Sequence, residues 1–205
     1  MKLLICLFLF LSPTLNYGFK KNILSYSIVI SKSDLIVDGT ISSVSKDKYE
    51  LTVSQFIKGK SESKINIIIW KEWICDNRVA ELKKGQRLFL FLEKTSGSDY
   101  YPINESTGEL FIEKDNLPSP SMYMLEKFPN ATVIKKGVRM FMETYKVYGD
   151  LNDRFLQNVY FQSNKSIFEI YKMKEDNKFF KYLVDHELQY SRVKYFDYTI
   201  NQIND

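Results

Sequence analysis

Apolar and polar residues alternate through much of the first half of the chain, in short runs separated by polar or glycine-containing breaks. Leu35, Val37 and Ile41 alternate with polar or small residues, and so do Tyr49 and Leu51. A period of two is typical of a strand with one buried face. The runs cover residues 34–45, 49–58, 65–70 and 82–92, with shorter ones at 100–103 and 109–112. This pattern predicts a small antiparallel barrel or meander.

Two details refine the predicted sheet. The runs at 65–70 and 88–92 are essentially apolar, so we expect these two strands to be buried on both faces. Gly39 lies inside the first predicted strand, where a glycine suggests a bulge or bend. Such a bend is a device by which a sheet curls into a small barrel.

The hydrophobic period changes after a Pro/Ser-rich segment at 116–121, whose two prolines exclude a helix and a central strand. Apolar residues at helical spacing then predict helices over 151–160, with Asp150 as N-cap, over 167–171 and over 179–188. The stretch 138–148 is ambiguous, and its aromatic spacing favours a helix.

These patterns define the predicted fold class as α+β, with a small antiparallel OB-like β-barrel followed by several C-terminal helices. The barrel module is expected over residues 19–115, the linker over 116–121 and the mainly helical region over 122–205. We expect these helices to pack on the barrel or on each other.

The first 18 residues have the layout of a secretory signal peptide. Met1 and Lys2 precede nine consecutive apolar residues and a polar, breaker-containing segment that ends at Gly18. The apolar stretch is too short to span a bilayer as a helix, and no later run is long enough. The sequence therefore predicts a secreted or periplasmic protein that begins at Phe19, with an uncleaved anchor as the alternative.

Composition narrows the function classes. Of the 205 residues, 44% are hydrophobic and 15% aromatic, enough for a buried core. The net charge of +4 is small and gives no reason to expect nucleic-acid binding. The single histidine, His186, lies in a predicted helix without the neighbours of a zinc site. With no catalytic or cofactor motif, we expect a protein that is not an enzyme and has no metal or cofactor; a hydrolase using a carboxylate pair is the less favoured alternative.

One segment concentrates residues that are common in binding sites. It holds Trp70, Glu72, Trp73, Cys75 and Arg78 in the loop after the third predicted strand. Trp and Arg are frequent anchors of interfaces, and loops carry many binding sites. We predict binding of another, unidentified protein there, with a glycan or small apolar ligand held against a tryptophan as the alternative. A third interpretation is that both tryptophans cap the barrel core.

Cysteine usage bears on assembly. Cys6 lies in the predicted signal peptide, so Cys75 is the only cysteine expected in the exported chain. A single thiol is buried, reactive or paired between chains. The chain is therefore expected to be a monomer or a Cys75-linked dimer.

Three motifs of the β-region together resemble a known family. They are Gly39-Thr40-Ile41 in the first strand, Lys58-Gly59 after the second, and Gly85-Gln-Arg-Leu-Phe-Leu-Phe-Leu92. This arrangement is similar to the OB-fold module of tissue inhibitors of metalloproteinases and netrin-type domains, as found in small secreted bacterial proteins. The resemblance covers residues 34–112 and implies an exported OB-like barrel. In that family, inhibition uses an N-terminal cysteine and several disulfides; this chain has neither, so no inhibitory residue carries over.

Overall fold

Six strands form one sheet that closes into a barrel. The computed structural model describes residues 21–117, 130–153, 155–188 and 192–194. The strands are β1 (Leu35–Val44), β2 (Lys48–Lys58), β3 (Lys64–Ile68), β4 (Arg87–Lys94), β5 (Tyr100–Pro102) and β6 (Glu109–Ile112). Their order is β1-β2-β3-β5-β4, and β4 pairs again with β1, which closes a five-stranded barrel. β6 pairs with the first half of β4, beside β5. The α+β class with a barrel is confirmed.

Strand β4 is the centre of this arrangement. It pairs with β1 along one edge, from Leu35 opposite Leu92 to Thr40 opposite Arg87, and with β5 and β6 along the other. Residues 88–92 are buried on both faces, as predicted. The same prediction for β3 is wrong, because burial alternates there and Asn66 is exposed.

The predicted bend at Gly39 is confirmed by the pairing of β1 with β2. The register shifts between Asp38 and Gly39. A Cβ atom at Gly39 would lie 2.7 Å from both Leu51 Cδ2 and Thr52 O, so no larger side chain fits without movement. The bend lets β1 contact both β2 and β4.

Two apolar clusters lie on opposite faces of this sheet. One fills the barrel and includes Val37, Leu51 and Leu90. The other covers the outside of β1 and β4, where Ile36 and Phe91 contact side chains from the helices. The helices therefore pack on the barrel wall and on each other.

The helices are α1 (Tyr26–Lys32), α2 (Ala131–Thr144), α3 (Ile167–Asp176) and α4 (Lys178–Tyr182), the last continued by a π-helical turn (Leu183–Glu187). Side chains cap three of them: Asn130 Oδ1 accepts from Val133 N at 2.9 Å, Ser166 and Glu169 form a capping box, and Asn177 Oδ1 accepts from Phe180 N at 2.8 Å. The predictions at 167–171 and 179–188 are confirmed as helical. α1 precedes the barrel and was not predicted.

The helix predicted over 151–160 is wrong. Residues 151–153 and 155–158 form turns, in which Asp150 and Asp153 carboxylates accept hydrogen bonds from backbone N–H groups two residues ahead. These Asx turns compete with a helix, and Phe155 is 70% exposed instead of facing a core. The turns lie between β7 (Tyr145–Tyr148) and β8 (Tyr160–Ser163) of a second, small sheet, in which β8 also pairs with β9 (Arg192–Lys194).

The ambiguous stretch 138–148 combines the end of α2 with β7. The predicted signal peptide at 1–18 and most of the predicted linker at 116–121 lie outside the described residues. In the described part of the chain, none of the helices is both long and apolar enough to cross a membrane.

Candidate functional site

The loop between β3 and β4 contains a tight turn with an exposed apolar tip. We call residues 70–78 the tryptophan loop. Trp73 and Asp76 exchange two backbone hydrogen bonds, of 3.1 and 2.9 Å, which leaves Ile74 and Cys75 at the centre of the turn. The side chain of Ile74 is 94% exposed, the highest fraction among the exposed large hydrophobic residues described.

A buried carboxylate fixes the two ends of this loop to the barrel. Glu109 Oε1 accepts hydrogen bonds from Trp70 Nε1 at 3.2 Å and from Arg78 Nε at 2.6 Å. Its Oε2 accepts from the Tyr49 hydroxyl at 3.0 Å. Trp70, Tyr49 and Glu109 are all at most 2% exposed. The loop is therefore attached to β2 and β6 through one side chain.

Arg78 joins three parts of the same cluster. Beyond its contact with Glu109, its Nη1 lies 2.9 Å from Glu72 Oε1, and its Nη2 donates to the Trp70 carbonyl at 3.3 Å. The guanidinium carbon lies 4.1 Å from the centroid of the Trp70 ring, a cation–π contact. Arg78 is thus held by charge, hydrogen bonds and stacking, with its side chain 6% exposed.

The electrostatics of this cluster follow from its burial. Removal from water raises the pKa of Glu109, although Arg78, Tyr49 and Trp70 each oppose the shift. Burial and the neighbouring Glu109 carboxylate raise the pKa of Tyr49 well above its usual value. Tyr49 thus remains a hydrogen-bond donor over the ordinary pH range.

A second anchor holds the centre of the loop. Asp76 is fully buried, and its carboxylate accepts hydrogen bonds from Lys21 Nζ, 2.5 Å from Oδ2, and from the Ser106 hydroxyl. Lys21 Nζ also donates to the Asn104 carbonyl at 2.7 Å and lies 3.7 Å from Glu105 Oε2. The loop is in this way tied to the segment before α1 and to the turn between β5 and β6.

The 3₁₀ turn that provides these partners has an unusual backbone. Asn104 and Glu105 have φ angles of 53° and 58°, in the left-handed region that costs a non-glycine residue about 1 kcal/mol or more. Burial, then the contact with Asp76, raise the pKa of Glu105 against the opposing charge of Lys21.

The structure brings the five predicted residues together but buries some of them. Trp70 and Arg78 form part of the barrel end, while the side chain of Glu72 is 47% exposed. Trp73 is half-buried, and Cys75 is partly exposed and forms no disulfide. The exposed tip, Ile74, was not among the predicted residues.

Four charged residues of the two anchors were also missed: Lys21, Asp76, Glu105 and Glu109. Glu109 alone had a sequence signal, because it opens an otherwise apolar strand. A charge in such a position needs a buried partner. Its partners lie 31 to 60 residues away in the chain, which no local pattern shows.

The single histidine lies away from this loop. His186 is exposed in the π-helical turn, with its ring 5.4 Å from that of Tyr182. Among the residues that the structure describes, no group of three or more His, Cys, Asp and Glu side chains is arranged to hold a metal ion.

Comparison with protein-family models gives no match for this chain, and comparison with curated proteins gives none either.

Proposed function

We propose that this protein is a non-catalytic exported module, periplasmic or at the cell surface, that binds another protein through the tip of the tryptophan loop. The observation that carries the proposal is the position of Ile74. A branched apolar side chain that is 94% exposed gains from burial, by roughly 1.5–3 kcal/mol for full burial of such a side chain. We therefore place the centre of the proposed interface at Ile74.

The anchoring of the loop supports the same function. Binding costs free energy when a mobile loop must be ordered, and a loop that is already held avoids part of this cost. Here Trp70 holds the loop before the tip through its hydrogen bond to Glu109. Asp76 and Arg78 hold it after the tip through buried ion pairs. The charged residues Lys71 and Glu72 are exposed and provide a polar rim.

The two alternatives have less support. A ligand that stacks on Trp70 would first have to displace Arg78, which covers the ring. The carboxylate pair of Asp76 and Glu105 is closed to a substrate in solution, because Asp76 is 0% exposed. Trp73 is half-buried, which leaves only part of its surface accessible to a ligand.

The test is site-specific photocrosslinking on the native cell envelope of the source organism. A photoreactive residue replaces Ile74 in one preparation of the full chain and Phe168 in a second. Phe168 is a matched control, because it is apolar, 82% exposed and located on α3. We expect a discrete adduct with one envelope protein from position 74 and none of the same mass from position 168.

A charge substitution provides the second arm. Ile74→Asp should abolish recovery of the adduct protein by affinity capture, while Phe168→Asp should leave it unchanged. Both substitutions are at exposed positions, so thermal melting should be similar for both variants. Identical adducts from both positions, or none from position 74, would refute binding through the tip.

A further inference from the structure

Three side chains beneath the tryptophan loop have an arrangement suited to a covalent bond. Lys21 Nζ lies 2.5 Å from Asp76 Oδ2, and these side chains are 4% and 1% exposed. Glu105 Oε2 lies 3.7 Å from the same nitrogen. The amine and the first carboxyl group thus meet where water is largely excluded, and the second carboxyl group, 30% exposed, lies at the edge of this site.

We propose that Lys21 and Asp76 condense to an isopeptide bond, with Glu105 as the proton-transfer group. The site would then be a covalent cross-link between the segment before α1 and the tryptophan loop. This is independent of what the tip of the loop binds.

The step balances without an oxidant or cofactor. The Lys21 ammonium gives a proton to the Asp76 carboxylate, which leaves a neutral amine beside a neutral acid. Nζ attacks Cγ and forms the C–N bond. Glu105 donates its proton to the departing hydroxyl and takes one from the nitrogen, so the C–O bond breaks, water leaves and Glu105 is regenerated.

Geometry and burial favour this reaction over a simple ion pair. Amide formation from an amine and an acid is disfavoured in water, but held reactants can reach effective molarities of about 10⁵–10⁸ M. Burial and the neighbouring Asp76 carboxylate raise the pKa of Glu105 and so favour its protonated form. That proton is the one the reaction needs.

The surrounding contacts hold each reacting group in place. The Ser106 hydroxyl donates to Asp76 Oδ1, and the Asn104 carbonyl accepts from Lys21 Nζ at 2.7 Å. Ser106 and Asn104 belong to the turn between β5 and β6, which also carries Glu105.

The test is a tryptic peptide map of the purified full chain after reduction and denaturation. An acylated Lys21 is not a trypsin site, so the cross-link predicts a branched peptide in which residues 21–32 are joined to residues 72–78. Its mass should be the sum of the two peptides less one water molecule. Separate peptides 22–32 and 72–78 at full mass would overturn the proposal and leave a buried ion pair.

Two comparisons make the result specific. The pair Lys174–Asp185 has the same 2.5 Å separation but is 19% and 31% exposed, so its tryptic peptides should remain unlinked. Glu105→Gln should leave peptides 22–32 and 72–78 unlinked in a chain whose circular dichroism matches that of the original protein. A Glu105→Gln chain that cross-links fully would overturn the role of Glu105.

Discussion

Removing Arg78 tests how the tryptophan loop is held. Arg78→Ala leaves the Glu109 carboxylate buried without its cation, since Glu109 has no exposed side-chain surface. Breaking a buried ion pair from one side costs about 3–5 kcal/mol in unfolding free energy. With an m-value of about 2 kcal/mol/M, a loss of 4 kcal/mol lowers the urea midpoint by about 2 M.

The assay is urea unfolding followed by tryptophan fluorescence, with Lys136→Ala as control. Lys136 and Asp176 form an ion pair of 2.8 Å with side chains 53% and 58% exposed, so its loss should cost less than about 1 kcal/mol. Similar small losses for both variants would refute the anchoring role of Arg78.

Two further measurements identify the cause as an unpaired charge. Adding Glu109→Gln to Arg78→Ala should restore part of the lost stability, because an amide costs less to bury than a carboxylate. Burial raises the folded-state pKa of Glu109 above its unfolded value, so the cost of the charge disappears as pH falls below the unfolded pKa. The deficit of Arg78→Ala should therefore shrink from pH 7 towards pH 4–5; an unchanged deficit would contradict this explanation.

Burial would raise the pKa of Asp38, but its contacts with Arg87 and Lys135 outweigh this and lower the pKa. The ionised Asp38 therefore stabilises the folded protein above its unfolded pKa, and this contribution is lost as pH falls through the folded pKa. Asp38→Asn should flatten the acid limb of a curve of unfolding free energy against pH. Gly137→Ala places a Cβ 2.6 Å from Asn177 Oδ1 and should cost about 1–3 kcal/mol, measured by thermal unfolding; an unchanged melting temperature would contradict this. If Cys75 pairs between chains, non-reducing gels should show a dimer that Cys75→Ser abolishes.

The barrel could be predicted from sequence because its information is local. Each strand carries alternation or an apolar run and ends at a polar or glycine-containing break, and Gly39 marks the bend within β1. The sequence also placed the tryptophan loop correctly at the end of β3. It did not show that Trp70 is buried, because burial there depends on Glu109, far along the chain.

The helix predicted over 151–160 failed for a related reason. Its apolar residues fit a helical period, but Asp150 and Asp153 satisfy nearby backbone N–H groups in turns. From Tyr160 onward the chain instead forms β8, which pairs with β7 and β9. Both of these strands lie outside residues 151–160, so the pattern within that range does not show the pairing. Periodicity alone does not distinguish these outcomes.

The position of β4 at the middle of the sheet has a consequence for folding kinetics. β2, β3 and the tryptophan loop separate β1 from β4 in the chain. The β1–β4 pairing that closes the barrel is therefore non-local. Folds dominated by such pairing reach the native state slowly, in roughly milliseconds to seconds. Until closure, the apolar run 88–92 lacks a partner along its β1 edge. The flanking Arg87 and Lys94 are charges of the kind that protect such a strand from pairing with another chain.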